Sequence, residues 1–366
     1  MAIRLLEGFE LDRNATYLGY RTEALAGTVT FSTSGRTHGF SASGPASGGP
    51  LWRYDQLSAA LLDEWVIGFG YRCSAAIAAG SQTNWTGVSL TDGNAVGNTQ
   101  IMLYAERVDD ETVRWNLRRG DSVSTGASLG TSTPFNPKVW HYFELKVDVR
   151  TGVNGSATLK MHDIYGTETT ILTVSGVDTA YQGTDGADRF GMQIRSYPAH
   201  TAHFDDLYVL DTAAGTHTDF LGPIIIESSH PEADGTYSEW SPDPSGSHAG
   251  NVRDSETIPT LTDWVEDDGA SSPQSRDLYT YDDLAIAKGD VVALNLQTIC
   301  QVDAASSGSF HHFLRNAAGT ENDGITNTTN STTPVMFSEI LDQDPVTAAA
   351  WDSDDIDAYE FGVERE

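Results

Sequence analysis

Apolar and polar positions along this chain alternate with a period of two in short runs, and the runs are separated by clusters of Gly, Asn, Asp and Ser. That is the pattern of an antiparallel all-β protein and not of alternating strand–helix units. Within the first 212 residues the alternation predicts strands at Thr28–Ser32, Trp65–Cys73, Gly87–Leu90, Gln100–Tyr104, Val113–Arg118, Trp140–Val149, Ala157–His162, Thr169–Val174, Arg189–Arg195 and Ala202–Leu210. So many short strands suit a two-sheet sandwich. In the Trp140–Val149 run, Trp140, Tyr142, Glu144, Lys146 and Asp148 share one face. Phe143, Leu145, Val147 and Val149 lie with His141 on the other, which is therefore the core face. The Gly-rich stretch Thr151–Gly155 then predicts a hairpin turn into the next strand.

Beyond residue 212 the same pattern continues in Ile224–Ile226, Asp234–Trp240, Asp277–Tyr281 and Val291–Val302, with long polar stretches at Ser241–Thr257 and Thr320–Thr333 that read as loops. The segment Asp352–Phe361 is the best helix candidate, since its first turn is rich in Asp, which complements the helix dipole. Gly362 would end that helix, Trp351, Ile356 and Tyr359 would pack on the sheet, and Phe361–Val363 would be a final extended piece. The fold class expected is an antiparallel jelly-roll or β-sandwich followed by a smaller β-rich domain with a short C-terminal helix.

Charge divides the chain in the same place. Residues 1–212 carry 23 acidic and 16 basic side chains, whereas residues 213–366 carry 29 acidic and 5 basic ones. The expected domains are accordingly 1–212 and 213–366. A net charge of −31 argues against nucleic acid as a direct partner, because affinity for a phosphate backbone comes from clustered Lys and Arg. No apolar run reaches the roughly 20 residues of a membrane-spanning helix, and the first residues lack the long apolar stretch of a signal peptide. A soluble protein made in the cytoplasm, without membrane insertion, is expected. The two cysteines, Cys73 and Cys300, fall one in each expected domain and read as small buried thiols instead of a disulfide framework.

Catalytic motifs are sparse. The closest approach to the triple-carboxylate strand of sandwich-type glucanases is Glu10, Asp12 and then Ala15 where a third acid belongs, and Glu144 and Asp148 share a strand face with Lys146 between them. There is no Gly-x-Ser-x-Gly elbow, Walker loop or His-Glu-x-x-His pair. His200, His203, Asp205 and Asp206 gather two imidazoles and two carboxylates in seven residues, and His203 and Asp205 would point the same way from an extended strand, so they form a candidate metal pair. The plainer reading is a solvated polar strand edge. The acidic run Asp352–Asp357 lacks the glycine and distal glutamate of a calcium loop and reads better as a charged helix start. No cofactor is expected, although adventitious calcium remains compatible with loops of this kind. Among the aromatic residues, Trp85 lies in the loop-like stretch Ser81–Gly87 and is the candidate for stacking on a glycan. The plainer reading is that most of the rings fill cores or contact neighbouring subunits.

Leu6–Glu10, Trp65–Arg72, Trp140–Glu144, Phe204–Asp211, Asp219–Gly222, Asp277–Leu284 and Trp351–Val363, in that order, resemble a family of tailed-bacteriophage virion structural proteins. In that family a concanavalin A/laminin-G-like jelly roll precedes a small acidic β-domain. Pro223 departs from the family's pattern after Phe220 and Leu221. The resemblance implies a non-catalytic component of the virion exterior, such as a tail fibre, a tail-tip appendage or a head decoration. It further implies a homo-oligomer, a trimer by default, that docks on other virion proteins through the acidic domain and presents the jelly roll to host-surface glycans. An alternative of a different class is an enzyme, a depolymerase or glycosidase, acting on host surface polysaccharide. A free bacterial lectin is a third reading.

Overall fold

The computed structural model describes residues 3–9, 24–26, 30–32, 35–36, 41–43, 51–74, 86–93, 98–120, 126–194, 201–213, 215–253, 262–267, 274–284, 290–303 and 307–366. It divides into two compact units, Met1–Ile226 and Glu227–Glu366.

The first unit is a sandwich of two antiparallel sheets. The larger runs in the order β13 (Glu168–Val177), β12 (Gly155–His162), β11 (His141–Asp148), β6 (Glu64–Cys73), β15 (Ala202–Asp211), β4 (Ser41–Ser43) and β3 (Thr30–Ser32), with β1 (Ile3–Glu7) also paired to β15. The smaller runs β10 (Ala127–Thr131), β9 (Val113–Arg119), β8 (Thr99–Arg107), β7 (Gly87–Thr91), β14 (Arg189–Ile194), β5 (Leu51–Gln56) and β2 (Ala24–Ala26). Strands far apart in sequence are neighbours in space, as β6 between β11 and β15 illustrates, which is the connectivity of a jelly roll. All ten strands predicted from the alternation are present, with ends shifted by a residue or a few. The hairpin between β11 and β12 turns through Gly152, whose φ of 68° lies in the left-handed region.

The core lies between the sheets. Ile67, Phe69 and Tyr71 of β6, Phe143, Leu145 and Val147 of β11, and Phe204 and Val209 of β15 meet Val88, Leu103, Trp115, Leu117, Phe190 and Met192 of the facing sheet. The inward face expected of β11 is the one found. Rings at the centre meet mostly edge to face, Phe69 on Trp115 at 5.5 Å and Trp115 on Phe143 at 5.3 Å, which suits the quadrupoles of aromatic rings. Each such side chain contributes about 1.5–3 kcal/mol by leaving water.

The second unit is built on a five-stranded sheet in the order β16 (Pro231–Ser238), β19 (Arg276–Tyr281), β26 (Glu360–Arg365), β22 (Gly308–Arg315) and β23 (Glu321–Thr329). Two-stranded ribbons β17 (Ser241–Asp243) with β18 (Trp264–Glu266), β20 (Asp290–Val291) with β25 (Trp351–Asp352), and β21 (Leu294–Cys300) with β24 (Val335–Leu341) complete it, together with helices α1 (His248–Val252) and α2 (Ser353–Ile356). Leu314, Trp351, Ile356, Tyr359 and Phe361 form a core here, so the expected packing of Trp351, Ile356 and Tyr359 is present.

Four expectations for the chain beyond residue 212 need correction. The C-terminal helix is only Ser353–Ile356, capped by the Asp352 side chain, because the apolar residues that follow belong to β26. Gly362 is not a helix stop: it lies inside that strand, where a Cβ would come within 1.9 Å of the Asp277 carbonyl oxygen. Residues within Thr320–Thr333 form the edge strand β23, whose Thr and Asn side chains suit a strand largely open to water. The run Ile224–Ile226 forms no strand, and its backbone is held instead by side chains of the first unit: the Arg36 guanidinium donates to the Ile224 carbonyl, and the Ile226 N–H donates to Asp206 Oδ1 at 2.8 Å.

Candidate functional site

Both sheets of the sandwich carry polar residues on their outward faces, and the two faces are organised differently. On the larger sheet, Glu144 of β11, Gly68 of β6 and Tyr208 of β15 are consecutive across the strands. A Cβ on Gly68 would lie 2.0 Å from the Tyr208 ring, so the absence of a side chain there lets the ring lie across the strand. Its hydroxyl then donates to Glu144 Oε1 at 2.5 Å. Glu144 is fully buried and also takes Nε2 of His162 at 2.7 Å and the backbone N–H groups of Leu221 and Gly222, both at 2.9 Å. Burial pushes the Glu144 carboxyl up, but the hydrogen bonds from His162, Tyr208 and Gly222 outweigh it and hold the group below the usual carboxylate range.

Two residues further along the same strands, Arg36 lies over Gly70 and stacks on the Tyr142 ring at 4.8 Å while its Nε meets Asp206 at 2.7 Å. Asp206 sits at a β-bulge with a φ of 47°, a conformation Asp tolerates better than most residues. The candidate metal pair belongs to this face. His203 and Asp205 lie on a central strand and are 6% and 3% exposed, so they are neither at an edge nor solvated. His203 Nδ1 meets the Ser41 hydroxyl at 3.2 Å, and burial beside the Arg72 charge pushes its pKa down to about 4. Asp205 accepts the backbone N–H groups of Arg36 and Asp206, and burial next to the Asp206 charge pushes its pKa up. Among the described residues these two join no group of three metal-type ligands. Trp85, the candidate for glycan stacking, lies outside the described residues.

The outward face of the smaller sheet has a different character. Registers place Gln193 of β14, Gly87 of β7, Tyr104 of β8 and Asn116 of β9 in one row across four strands. The adjoining row is Gly191, Ser89, Met102 and Arg118, and beyond Asn116 lie the neighbours Glu106 and Arg114. Gln193 and Tyr104 are thus held about 9–10 Å apart by two strand spacings, and Gly87 stands between them because a Cβ there would come within 1.9 Å of the Leu103 carbonyl oxygen. Ser128 donates to Asn116 Oδ1 at 3.1 Å, Asn116 Nδ2 donates to Glu106 at 3.4 Å, and Arg114 Nε meets the same carboxylate at 2.8 Å. Two buried polar atoms of this face, Gln193 Oε1 and Arg118 Nε, have no hydrogen-bond partner among the described residues. A buried polar atom left unpaired costs about 1–3 kcal/mol. Period-two alternation could have assigned Tyr104, Asn116, Arg118 and Gln193 to one side of their strands, but only the strand order brings them together.

No protein-family model and no curated protein matches the sequence. Solved structures of similar fold include a carbohydrate esterase of Shiga toxin-encoding bacteriophage phi24B, with 13% identity and a TM-score of 0.39 over 57% of this chain and 97% of that one. An endo-β-1,4-glucuronan lyase of the fungus Trichoderma reesei matches with 11% identity and a TM-score of 0.35 over 52% and 90%. The exoplasmic/lumenal domain of VIP36 in a Ca2+- and mannose-bound form matches with 10% identity and a TM-score of 0.33 over 56% and 90%. At these values the likeness is one of fold alone, a β-sandwich of jelly-roll kind. With an esterase and a lyase among the similar structures, the expectation that the chain is a non-catalytic virion component, and no enzyme, is withdrawn. Its physical ground was the lack of short motifs, and strand pairing can bring residues far apart in sequence together, as it does Gln193, Tyr104 and Asn116.

Proposed function

We propose that this chain is an enzyme acting on a polysaccharide, with the sugar lying along the outward face of the seven-stranded sheet. The observation that carries the reading is the row Gln193, Gly87, Tyr104 and Asn116, flanked by Arg118, with Gln193 Oε1 and Arg118 Nε unpaired among the described residues. Sugars are recognised by planar polar groups that both donate and accept.

The donor set favours elimination over hydrolysis. Hydrolysis by two acids needs a pair of carboxylates about 5–10 Å apart across the scissile bond. Among the described residues of these rows the carboxylate is Glu106, and it is tied to Arg114 and Asn116. Elimination from a uronate ring needs a different set. Amide and guanidinium groups such as Gln193, Asn116 and Arg118 neutralise the sugar carboxylate, which acidifies the neighbouring C5–H. A proton-transfer group, here Tyr104, relays the proton: its oxygen takes the C5 proton while its own hydroxyl proton passes to the departing C4 oxygen, as the C4–O bond breaks and a C4=C5 double bond forms. The host-surface polysaccharides of bacteria, many of them acidic, are the proposed substrate class, and a site on the exterior of a tailed-phage particle, as a homo-oligomer among other virion proteins, is the proposed setting. The sequence resemblance to virion proteins supports that setting.

The test is incubation of the purified chain with a panel of acidic and neutral polysaccharides, following both new reducing ends and the ultraviolet absorbance of an unsaturated uronate. Both signals are expected with an acidic polymer. Reducing ends without absorbance would replace elimination by hydrolysis, and neither signal with any polymer would overturn the enzyme reading. Mass spectrometry of purified particles tests the setting separately.

A further inference from the structure

In the second unit, neighbouring strands bring three metal-type ligands to one face of the sheet. Glu364 of β26 is directly opposite His311 of β22, and Asp323 of β23 follows across the irregular register between His311 and Phe313. His311 Nε2 lies 3.7 Å from Glu364 Oε1 and 3.7 Å from Asp323 Oδ1, and the three ligand atoms all fall within 4.8 Å of one another. His311 is 8% exposed, and its Nε2, aimed between the two carboxylates, has no hydrogen-bond partner among the described residues. At 3.7 Å an N–H would be too far from either oxygen for a hydrogen bond, so the pairing that would satisfy a buried ring nitrogen is missing.

We propose that His311, Asp323 and Glu364 bind a divalent first-row transition cation, zinc foremost. One imidazole nitrogen with two carboxylate oxygens is a mixed donor set that zinc accepts, whereas calcium and magnesium take oxygen ligands. Ligand atoms around a tetrahedral zinc stand about 3.3 Å apart, so the cluster would need to contract by a fraction of an ångström on the His311 side and more between the carboxylates. Asp323, with 62% of its side chain exposed, has the freedom to move in. Glu364 is already oriented: Arg276 Nε holds its other oxygen, Oε2, at 2.6 Å and leaves Oε1 turned toward His311. A cation there would join β26 and β22 to the edge strand β23 and stabilise the folded unit by mass action.

The experiment uses the full chain stripped with a chelator and titrated with zinc alone at neutral pH, with binding followed by calorimetry and unfolding by thermal melts. One equivalent at about 1 μM or tighter is expected, with the melting midpoint raised by a few degrees. Asp323→Asn, at an exposed position that leaves folding intact, should weaken binding tenfold or more, and His311→Gln should abolish it. Zinc uptake that is weak and multiple, or that both variants leave unchanged, would overturn the proposal in favour of adventitious binding by an acidic surface. If His311→Gln fails to fold, the Asp323→Asn titration decides.

Discussion

The two outward faces of the sandwich use similar residues to opposite ends. On the larger sheet the buried carboxylates are paired: Glu144 collects four hydrogen bonds, two of them from the backbone of Leu221 and Gly222, and Asp206 holds Ile226 and Arg36, while Arg72 Nε on the same face has no partner among the described residues. On the smaller sheet Gln193 and Arg118 each keep a buried atom without a partner among the described residues. A buried carboxylate with its hydrogen bonds supplied from within the chain is architecture, because nothing remains for a ligand to improve. A buried amide or guanidinium left short of partners is stability forgone, and such a deficit persists where a ligand recovers it.

The comparison breaks first at Glu144. Glu144→Ala strands His162 and two backbone N–H groups in a buried setting and should cost about 3–5 kcal/mol in denaturant unfolding. A loss under about 1 kcal/mol would mean that the 219–226 segment is not held by this carboxylate. On the other face, Tyr104→Phe should lower turnover about 100-fold or more while leaving the unfolding midpoint nearly unchanged. A large stability loss with normal activity would reverse the roles of the two faces.

A pH profile sharpens the same contrast, because His203 belongs to the structural face. Its folded pKa of about 4 lies below the ordinary value of about 6.5, so the unfolded chain binds the proton more readily. Stability should therefore be unaffected above about pH 7 and should fall, by about 1–3 kcal/mol, as pH drops from 6.5 toward 4. His203→Gln should flatten that part of the curve, and an unchanged profile would show that the imidazole takes up its proton equally well in the folded and unfolded chain. The smallest effect belongs to Lys160, whose ammonium sits 4.3 Å from the Phe220 ring. Lys160→Ala should cost about 0.5–1 kcal/mol, measurable only by a careful comparison of midpoints.

The strands of the sandwich were legible because each buries one face on a common core, and β11 announces its orientation through Phe143, Leu145 and Val147. What alternation could not convey is that its other face is also covered. Glu144 and Tyr142 look like solvent positions in sequence, but Leu221 and Gly222, more than seventy positions later, return to Glu144, and Arg36 lies over the Tyr142 ring. The polar segment at Thr320–Thr333 misled for a related reason: an edge strand gains little from apolar side chains, so β23 resembles a loop. In Asp352–Phe361 the local dipole argument held for one turn, after which pairing of β26 with β19 and β22 outweighed helix propensity. The candidate site was hidden most completely. Gln193 and Tyr104 are almost ninety residues apart and share a row only because β7 runs between their strands.

The position of β26 has a consequence for assembly. It lies between β19 and β22 but comes after every other strand of its unit in the sequence. A nascent chain that has emerged only as far as residue 359 therefore carries two half-sheets, β16 with β19 and β22 with β23, each with a bare edge and nothing to join them. Such edges invite pairing with other chains, so copies growing side by side on one message are most exposed to aggregation just before Glu360–Arg365 is released.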